Sequence, residues 1–151
     1  MQTPQGRHAV KISTKGLYGT LAVFDLAIHS ASGNVHKADI AERQRIPEQY
    51  LAQLLSALRR AGYIKSVRGP AGGHLLAKQP GEITVGEIVE LLDGPQVNDA
   101  TADVDDPSSR RVVQSLFNEA DRAAADVLAS VTFDDLVARW RDTEGAIDFI
   151  I

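Results

Sequence analysis

The chain has 151 residues, no cysteine and a formal net charge of −4 at neutral pH. This length is enough to bury a hydrophobic core unaided, and the missing cysteines exclude disulfides, thiolate metal sites and thiol redox chemistry within the chain. No apolar run approaches the roughly 20 residues that span a bilayer and the first ten residues lack a secretory signal, so we expect a cytoplasmic protein with no membrane partner.

The charges are divided unevenly between the two halves of the chain. Through Lys78 there are eleven basic and four acidic residues, a net of +7, whereas the remainder carries five basic and sixteen acidic residues, a net of −11. A basic half beside an acidic half is typical of a protein that presents one face to nucleic acid. An uneven solvated surface that arose by chance is the alternative.

Three helices are predicted in the first 61 residues. Ser13 or Thr14 can cap a helix that runs to about Ser30, and a short second helix follows over residues 36–44. The third helix covers residues 47–61 and starts with a proline, which is favoured in the first turn. The apolar residues of the first helix that we expect to face the core are Leu17, Leu21, Phe24 and Ile28.

The third helix separates into an apolar side and a polar side at about 100° per residue. The apolar side consists of Leu51, Leu54, Leu55 and Leu58. The opposite side carries Gln49, Gln53, Ser56 and Arg60. Two extended runs, 63–68 and 74–77, follow and are joined by a glycine-rich turn, which predicts a β-hairpin. Three helices followed by a hairpin are typical of a winged helix-turn-helix domain.

The second half of the chain is predicted to be helical apart from one loop. Thr84 and Glu87 form a capping box at the start of a helix of about nine residues. Residues 95–107 are acidic and lack periodicity, which indicates a flexible loop. Asp106 as cap and Pro107 in the first turn then predict the start of a long helix that ends near residue 130.

The long helix carries a wide apolar stripe that the small domain cannot cover by itself. We expect the same helix of a second copy to cover it and form a homodimer, the alternative being packing within one chain. A last helix is capped by Thr132 and Asp135, and its apolar end, 147–151, should dock on protein. The predicted dimerisation residues are Val112, Val113, Leu116, Phe117, Ala120, Ala124, Val127 and Leu128.

These elements predict a mainly α fold. It consists of a winged helix-turn-helix domain with a small β-hairpin wing and a long C-terminal dimerisation helix. The predicted boundaries are residues 1–94 for the DNA-binding domain, 95–107 for the acidic flexible loop, and 108–151 for the dimerisation helix and the last helix.

The sequence nominates no catalytic, metal or cofactor site. The four histidines, His8, His29, His36 and His74, fall in different elements without the spacing of metal ligands. The glycine run after Arg68 precedes a strand, whereas a phosphate-binding loop precedes a helix. We therefore expect a protein that is not an enzyme and needs no cofactor or metal.

A winged helix can place its third helix in the major groove of DNA. There Gln49 and Gln53 can pair with adenine edges, and Arg60 can reach guanine or phosphate; ordinary surface polarity is the alternative for each glutamine. Arg68 stands at the wing tip, where an arginine can enter a narrow minor groove or simply form a solvent-facing salt bridge. The further candidates for DNA contact are Lys15, Lys37, Ser56, Arg59 and Lys65.

Three segments resemble the Rrf2 family of bacterial transcription regulators: KISTKGLYGTLAVFDLA, DIAERQRIPEQYLAQLLSALRRAGYIKSVRGPAGGHLLA and ITVGEIVELLDGP. The similarity is close over residues 10–95, looser beyond, and most specific from Tyr50 through Gly73. The resemblance implies a winged-helix dimer in which the long helix crosses its partner. It also implies that the third helix enters the major groove and that the wing arginine, here Arg68, enters the minor groove.

The chain departs from the family pattern in ways that bear on its signal. Many members bind an iron–sulfur cluster through three cysteines in the loop that corresponds to residues 95–107, and a chain without cysteine cannot use that route. Some cysteine-free members respond to an enzyme of cysteine synthesis, so an effector enzyme is one candidate signal and a small ligand is another. Ala52 stands where some members select bases with glutamate, Arg45 where glycine is usual, and His74 where tyrosine is common.

The leading interpretation is a dimeric, sequence-specific regulator that occupies a pseudo-palindromic operator in double-stranded DNA. A repressor, which blocks RNA polymerase, is favoured, and an activator, which assists it, is the alternative. Its two third helices would reach half-sites about one turn of DNA, roughly 34 Å, apart. The alternative is a winged-helix protein-interaction module that does not bind DNA. A docking surface of that kind would be expected to show apolar or aromatic anchors on the third helix.

Overall fold

The computed structural model describes residues 12–95 and 103–150, the last four of these by their backbone alone. The helices in these ranges are α1 (Thr14–His29), α2 (Lys37–Gln44), α3 (Glu48–Arg60), α4 (Val85–Asp93), α5 (Ser108–Ser130) and α6 (Phe133–Ile150). Two strands, β1 (Ile64–Val67) and β2 (Gly73–Leu76), lie between α3 and α4. The predicted mainly α winged-helix fold is confirmed. No helix in the described part of the chain has the length and apolarity needed to cross a membrane.

The two strands form an antiparallel hairpin, called the wing below, with Ile64 opposite Leu76 and Ser66 opposite His74. Backbone hydrogen bonds of 2.8 and 2.7 Å join Val35 to His74. The Asn34 side chain also donates to the carbonyl of Ala71 at 3.0 Å. The wing is therefore fixed to the segment that leads into α2.

The core lies between α1, α3 and α4. Leu51, Leu54, Leu55 and Leu58 of α3 are at most 3% exposed, as predicted. The predicted inward residues of α4 are buried as well: Val85, Ile88, Val89 and Leu92. Phe133 of α6 joins this core, and the rings of Phe24 and Trp140 meet edge to face at 6.5 Å. The last helix thus packs on α1.

The buried face of α1 follows the predicted stripe only in part: Leu21 and Phe24 pack against the core. Leu17 is 50% exposed, whereas Gly16, Gly19, Ala22, Val23 and Leu26 are buried. A Cβ atom at Gly19 would overlap the side chain of Leu92. The small residues let α4 approach α1 closely, and a count of large apolar residues misses such a face because glycine has no side chain to count.

Asp25 joins α1 to α2 although it is fully buried. Arg43 donates to its two carboxylate oxygens from Nε at 2.9 Å and Nη2 at 2.8 Å, and Gln44 donates at 2.9 Å. Burial alone would raise the pKa of Asp25, but the hydrogen bonds from Arg43 and Gln44 and the positive charge of Arg43 outweigh it and lower the pKa. The buried charge is therefore paired.

The predicted caps of α4 and α6 are confirmed, and these two helices begin side by side. Thr84 and Glu87 form the capping box of α4, while Thr132 and Asp135 exchange the equivalent hydrogen bonds at 2.9 and 3.1 Å. The Val85 N–H donates to the carbonyl of Val131 at 2.9 Å. The starts of α4 and α6 are consequently tied together.

The predicted cap of α5 is wrong. Pro107 occupies the N-cap position without a side-chain cap, and the Asp106 carboxylate accepts a hydrogen bond from the Asp103 N–H at 3.0 Å. Proline also occupies the N-cap position of α3, at Pro47. Residues 96–102 of the predicted loop and the side chains at 147–151 lie outside the described residues.

Candidate nucleic-acid interface

The outward face of α3 presents polar side chains to solvent. At about 100° per residue, Gln49, Gln53, Ser56 and Arg60 fall within an arc of about 60°, opposite the buried leucines. The two glutamines and Arg60 are exposed, and Ser56 is half-buried. This face has the shape and the hydrogen-bonding groups of a helix that reads base edges.

The turn between α2 and α3 is built around Arg45. This residue has φ 54° and ψ 47°, and it is the one non-glycine residue with a positive φ among the described residues. Its N–H donates to the carbonyl of Ala41 and ends α2. The left-handed conformation turns the chain sharply enough for α3 to start three residues later.

The wing tip projects Arg68 into solvent. Gly69 has a φ of 104°, and its carbonyl accepts a hydrogen bond from the Gly72 N–H at 2.9 Å. A Cβ at Gly72 would overlap the carbonyl of Val67, so this tight turn requires glycine there. Arg68 itself is exposed, next to this turn.

A cationic cavity of about 210 Å³ lies between α2, α3 and the wing. Its polar lining consists of Lys37, Ser56, Arg59, Ser66 and His74. Ser66 Oγ and His74 Nδ1 are 3.0 Å apart and hydrogen bonded. The pKa of His74 is lowered, first by burial and then by the positive charges of Lys37, Arg59 and His36.

The predicted cations are distributed around α3. Lys37 and Arg59 meet at the cavity. Lys15 lies toward the start of α3, because Tyr18, three residues later on the same side of α1, stacks edge to face on Tyr50 at 5.7 Å. Lys65 alternates with Ser66 along β1 and therefore points to the opposite side of the wing.

Sequence reasoning assigned no DNA contact to Ser66 or His74. Only the strand register places them opposite each other and on the cavity side of the wing. The alternation of side-chain direction along β1 could have placed Ser66 on the cavity side from the sequence. Ile64 is buried, so Ser66, two residues on, shares its side of the strand.

The outer side of α5 is exposed and apolar. Val112, Val113, Leu116, Phe117 and Val127 are 40–69% exposed, and Ala120 is exposed too. Of the other predicted dimerisation residues, Leu128 packs against the core of its own chain and Ala124 is half-buried. The inner side of α5 thus faces α4, and its outer side is exposed.

A second cavity, of about 300 Å³, lies between α4 and α5. Glu87, Glu90 and Asp126 are among its lining residues, and both carboxylate oxygens of Glu87 already accept hydrogen bonds from Tyr63 and Thr84. Among the described residues, no three metal-ligating side chains lie close enough together to hold a metal ion.

Comparison with known proteins identifies the family. A family model named Rrf2 and described as an iron-dependent transcriptional regulator matches residues 12–139. The chain belongs to the Rrf2 family. It is therefore a winged-helix transcription regulator and not an enzyme.

Named relatives support this Rrf2 assignment over most of the chain. The transcriptional regulator IscR of Pectobacterium atrosepticum is 39% identical over 132 residues, which cover 85% of this chain and 79% of the relative. The transcriptional regulator CymR of Bacillus subtilis is 36% identical over 142 residues, which cover 94% of this chain and 100% of the relative.

Solved structures of Rrf2 relatives share the fold. CymR, described as the global cysteine regulator of B. subtilis, superimposes with a TM-score of 0.76 and 37% identity over 85% of this chain and 97% of that chain. IscR of T. potens gives a TM-score of 0.73 and 40% identity over 93% of each chain. The family description names iron dependence, yet this Rrf2 protein has no cysteine to offer iron as a ligand.

Proposed function

We propose that this Rrf2 protein is a homodimeric, sequence-specific repressor that binds a pseudo-palindromic operator in double-stranded DNA. Helix α3 enters the major groove, and the wing around Arg68 enters the adjacent minor groove. The observation that carries this proposal is the exposed polar face of α3 beside a cationic cavity and an exposed wing arginine.

Base reading belongs to the outward face of α3. Its 13 residues give a helix about 20 Å long, which fits the major groove. Gln49 and Gln53 each offer the paired donor and acceptor that match the N6 and N7 edge of adenine, and Arg60 can reach guanine or a flanking phosphate. The buried leucines on the opposite side hold this face in a fixed orientation.

Phosphate contacts set the register of α3 on the duplex. Lys15 and Lys37 serve the start of the helix, where Lys37 lies 3.8 Å from Glu48, and Arg59 serves its end. Lys65 lies on the far side of the wing, where it can reach the strand across the minor groove. Arg68 at the tip enters that groove, whose negative potential favours arginine.

The dimer forms through the outer side of α5. Exposed apolar residues along this helix would be covered by the same helix of a second copy, since a two-fold axis brings like faces together. The axis places two α3 helices about 34 Å apart, one turn of DNA. Repression follows when the occupied operator overlaps the site at which RNA polymerase binds.

The test is selection of bound sequences from a random duplex pool by the purified protein, followed by a salt titration. We expect a motif of two inverted half-sites and an affinity that falls steeply with salt, because several phosphate contacts release counterions. A folded dimer that enriches no motif even at low salt would contradict the proposal and favour a protein-docking module.

A further inference from the structure

The cavity between α2, α3 and the wing lies beside the base-reading face, with which it shares Ser56, and it does not include the wing tip. Its polar lining comes from four elements: Lys37 of α2, Ser56 and Arg59 of α3, Ser66 of β1 and His74 of β2. No carboxylate is among these lining residues. Two permanent positive charges beside hydroxyl and imidazole groups form a site suited to an anion with several oxygen atoms.

His74 is the one lining residue whose charge can change near neutral pH. Burial, Lys37, Arg59 and His36 all lower its pKa, so it is neutral at neutral pH while the cavity is empty. Its half-buried ring is held by Ser66 at 3.0 Å, and its backbone is held by Val35. The ring therefore stays at the cavity in either charge state.

Other ionisable groups near β2 are already engaged. The Glu48 carboxylate lies 3.8 Å from Lys37 Nζ, on the α3 side. On α1, Asp25 lies 3.5 Å from His29 and accepts hydrogen bonds from Arg43. Lys65 points to the opposite side of the wing. The local charge around the empty cavity is consequently positive.

On the basis of the DNA-binding function proposed above, we propose that this cavity receives one backbone phosphate in each operator half-site and that His74 takes up a proton from solvent as the phosphate enters. The negative phosphate reverses the local field, which then favours the imidazolium form. The protonated ring donates a hydrogen bond to a phosphate oxygen, beside Lys37 and Arg59.

This coupling makes DNA binding depend on pH. The pKa of His74 is lowered in the free protein and raised in the complex, so the complex holds a proton that the free protein lacks. Affinity therefore rises as pH falls between these two values. A dimer on a palindrome takes up two protons, one at each half-site.

The test is an affinity titration of the selected duplex at constant ionic strength from about pH 8 to about pH 6. We expect the wild-type affinity to rise by about tenfold or more over this range. His74→Gln, which keeps a polar group near Ser66, should lose most of that rise, and so should His74→Tyr, a second variant in case the first fails to fold. The matched control His29→Gln, at a histidine of α1 outside the cavity lining, should retain most of it.

A phosphate scan locates the anion. Replacement of single phosphates by neutral methylphosphonates should reveal one position per half-site at which the pH dependence of the wild type disappears. The same replacement should change the affinity of His74→Gln much less. This non-additivity would show that the proton and that phosphate meet in one site.

Several results would overturn the inference. Equal pH dependence of DNA affinity in His74→Gln and wild type would show that His74 does not take up the proton. A phosphate scan with no sensitive position would show that no single phosphate is coupled to that proton. If inorganic phosphate alone protonates His74 and cancels the pH-dependent part of DNA binding, the site belongs to a free anion. A duplex bound equally at both pH values overturns only this inference, whereas no bound duplex at any pH overturns the proposed function too.

Discussion

Two residues of unusual kind lie where helices meet: one is a buried charge, and the other has a strained backbone conformation. Asp25 is buried between α1 and α2 and is satisfied by Arg43 and Gln44. Arg45, at the end of α2, adopts the left-handed conformation that glycine adopts most easily. Asp25 holds α2 against α1, and Arg45 sets the turn from α2 into α3.

Asp25 should make the free energy of unfolding fall at acidic pH. Its pKa is lowered in the folded state, so its contribution is complete above about pH 4, the ordinary carboxyl range, and is lost as pH falls through the lowered value. Asp25→Asn should reduce the free energy of unfolding at neutral pH by about 2–3 kcal/mol and flatten its fall below pH 4.

Urea denaturation at a series of pH values measures this effect. The exposed Asp142 offers a matched control, and Asp142→Asn should leave the curve unchanged. An acid dependence as steep in Asp25→Asn as in the wild type would show that other carboxylates are responsible.

Arg45 should be replaceable by glycine with a gain in stability. A left-handed non-glycine residue carries a conformational cost that glycine avoids, although glycine also loses more chain entropy on folding. We expect Arg45→Gly to raise the free energy of unfolding by up to about 1 kcal/mol. Arg45→Ala should give no gain, and equal behaviour of the two variants in urea would argue against strain at this turn.

At the scale of elements, helix packing depends on small residues as much as on large ones. The leucines of α3 were predictable because four of them share one side of a helix. The buried side of α1 was not, because Gly16 and Gly19 contribute close approach to α4 and no apolar area. Hydrophobic periodicity detects the first kind of face and overlooks the second.

The wing also has features that the local sequence pattern does not predict. Its turn residues predicted a hairpin, but the cavity that Ser66 and His74 line depends on strand register and on the backbone pairing of His74 with Val35. That pairing joins residues 39 positions apart in the chain. The residues of a turn can be recognised from a short stretch of sequence, but a backbone pairing between residues so far apart in the chain cannot.

The wing should contribute affinity through Arg68. Arg68→Ala removes the cation proposed to enter the minor groove and should weaken binding to the selected duplex by about 1–3 kcal/mol. Fluorescence anisotropy at fixed salt measures this change. Arg141→Ala, an exposed cation on α6, serves as the control, and unchanged affinity of Arg68→Ala would remove the wing tip from the interface.

At the scale of the whole molecule, a basic winged portion is joined to an acidic portion that contains α5, a helix with an exposed apolar side. The position and length of α5 were predictable from its paired apolar residues. The sequence pattern did not show which side of α5 faces its own chain. In the structure Leu128 packs against the core and Asp121 is buried on that inner side. The outer side, with Leu116 and Phe117, is the surface proposed to pair with a second copy.

The dimer should break when a charge is placed on that outer side. Leu116→Glu or Phe117→Glu would bring like charges together across the two-fold axis and leave them without water. Sedimentation should then report a folded monomer. Val104→Glu, at an 84% exposed position before α5, should remain dimeric, and a folded dimer of either α5 variant would show that the interface lies elsewhere.

The most direct test of the central claim, that α3 reads the operator, is to repeat the sequence selection with Gln53→Ala. We expect the enriched motif to keep its two-fold symmetry and its spacing but to lose preference at the same base pair of each half-site, at a cost of about 1–3 kcal/mol for the original base. An unchanged motif from both Gln53→Ala and Gln49→Ala would contradict the claim that this face of α3 recognises sequence.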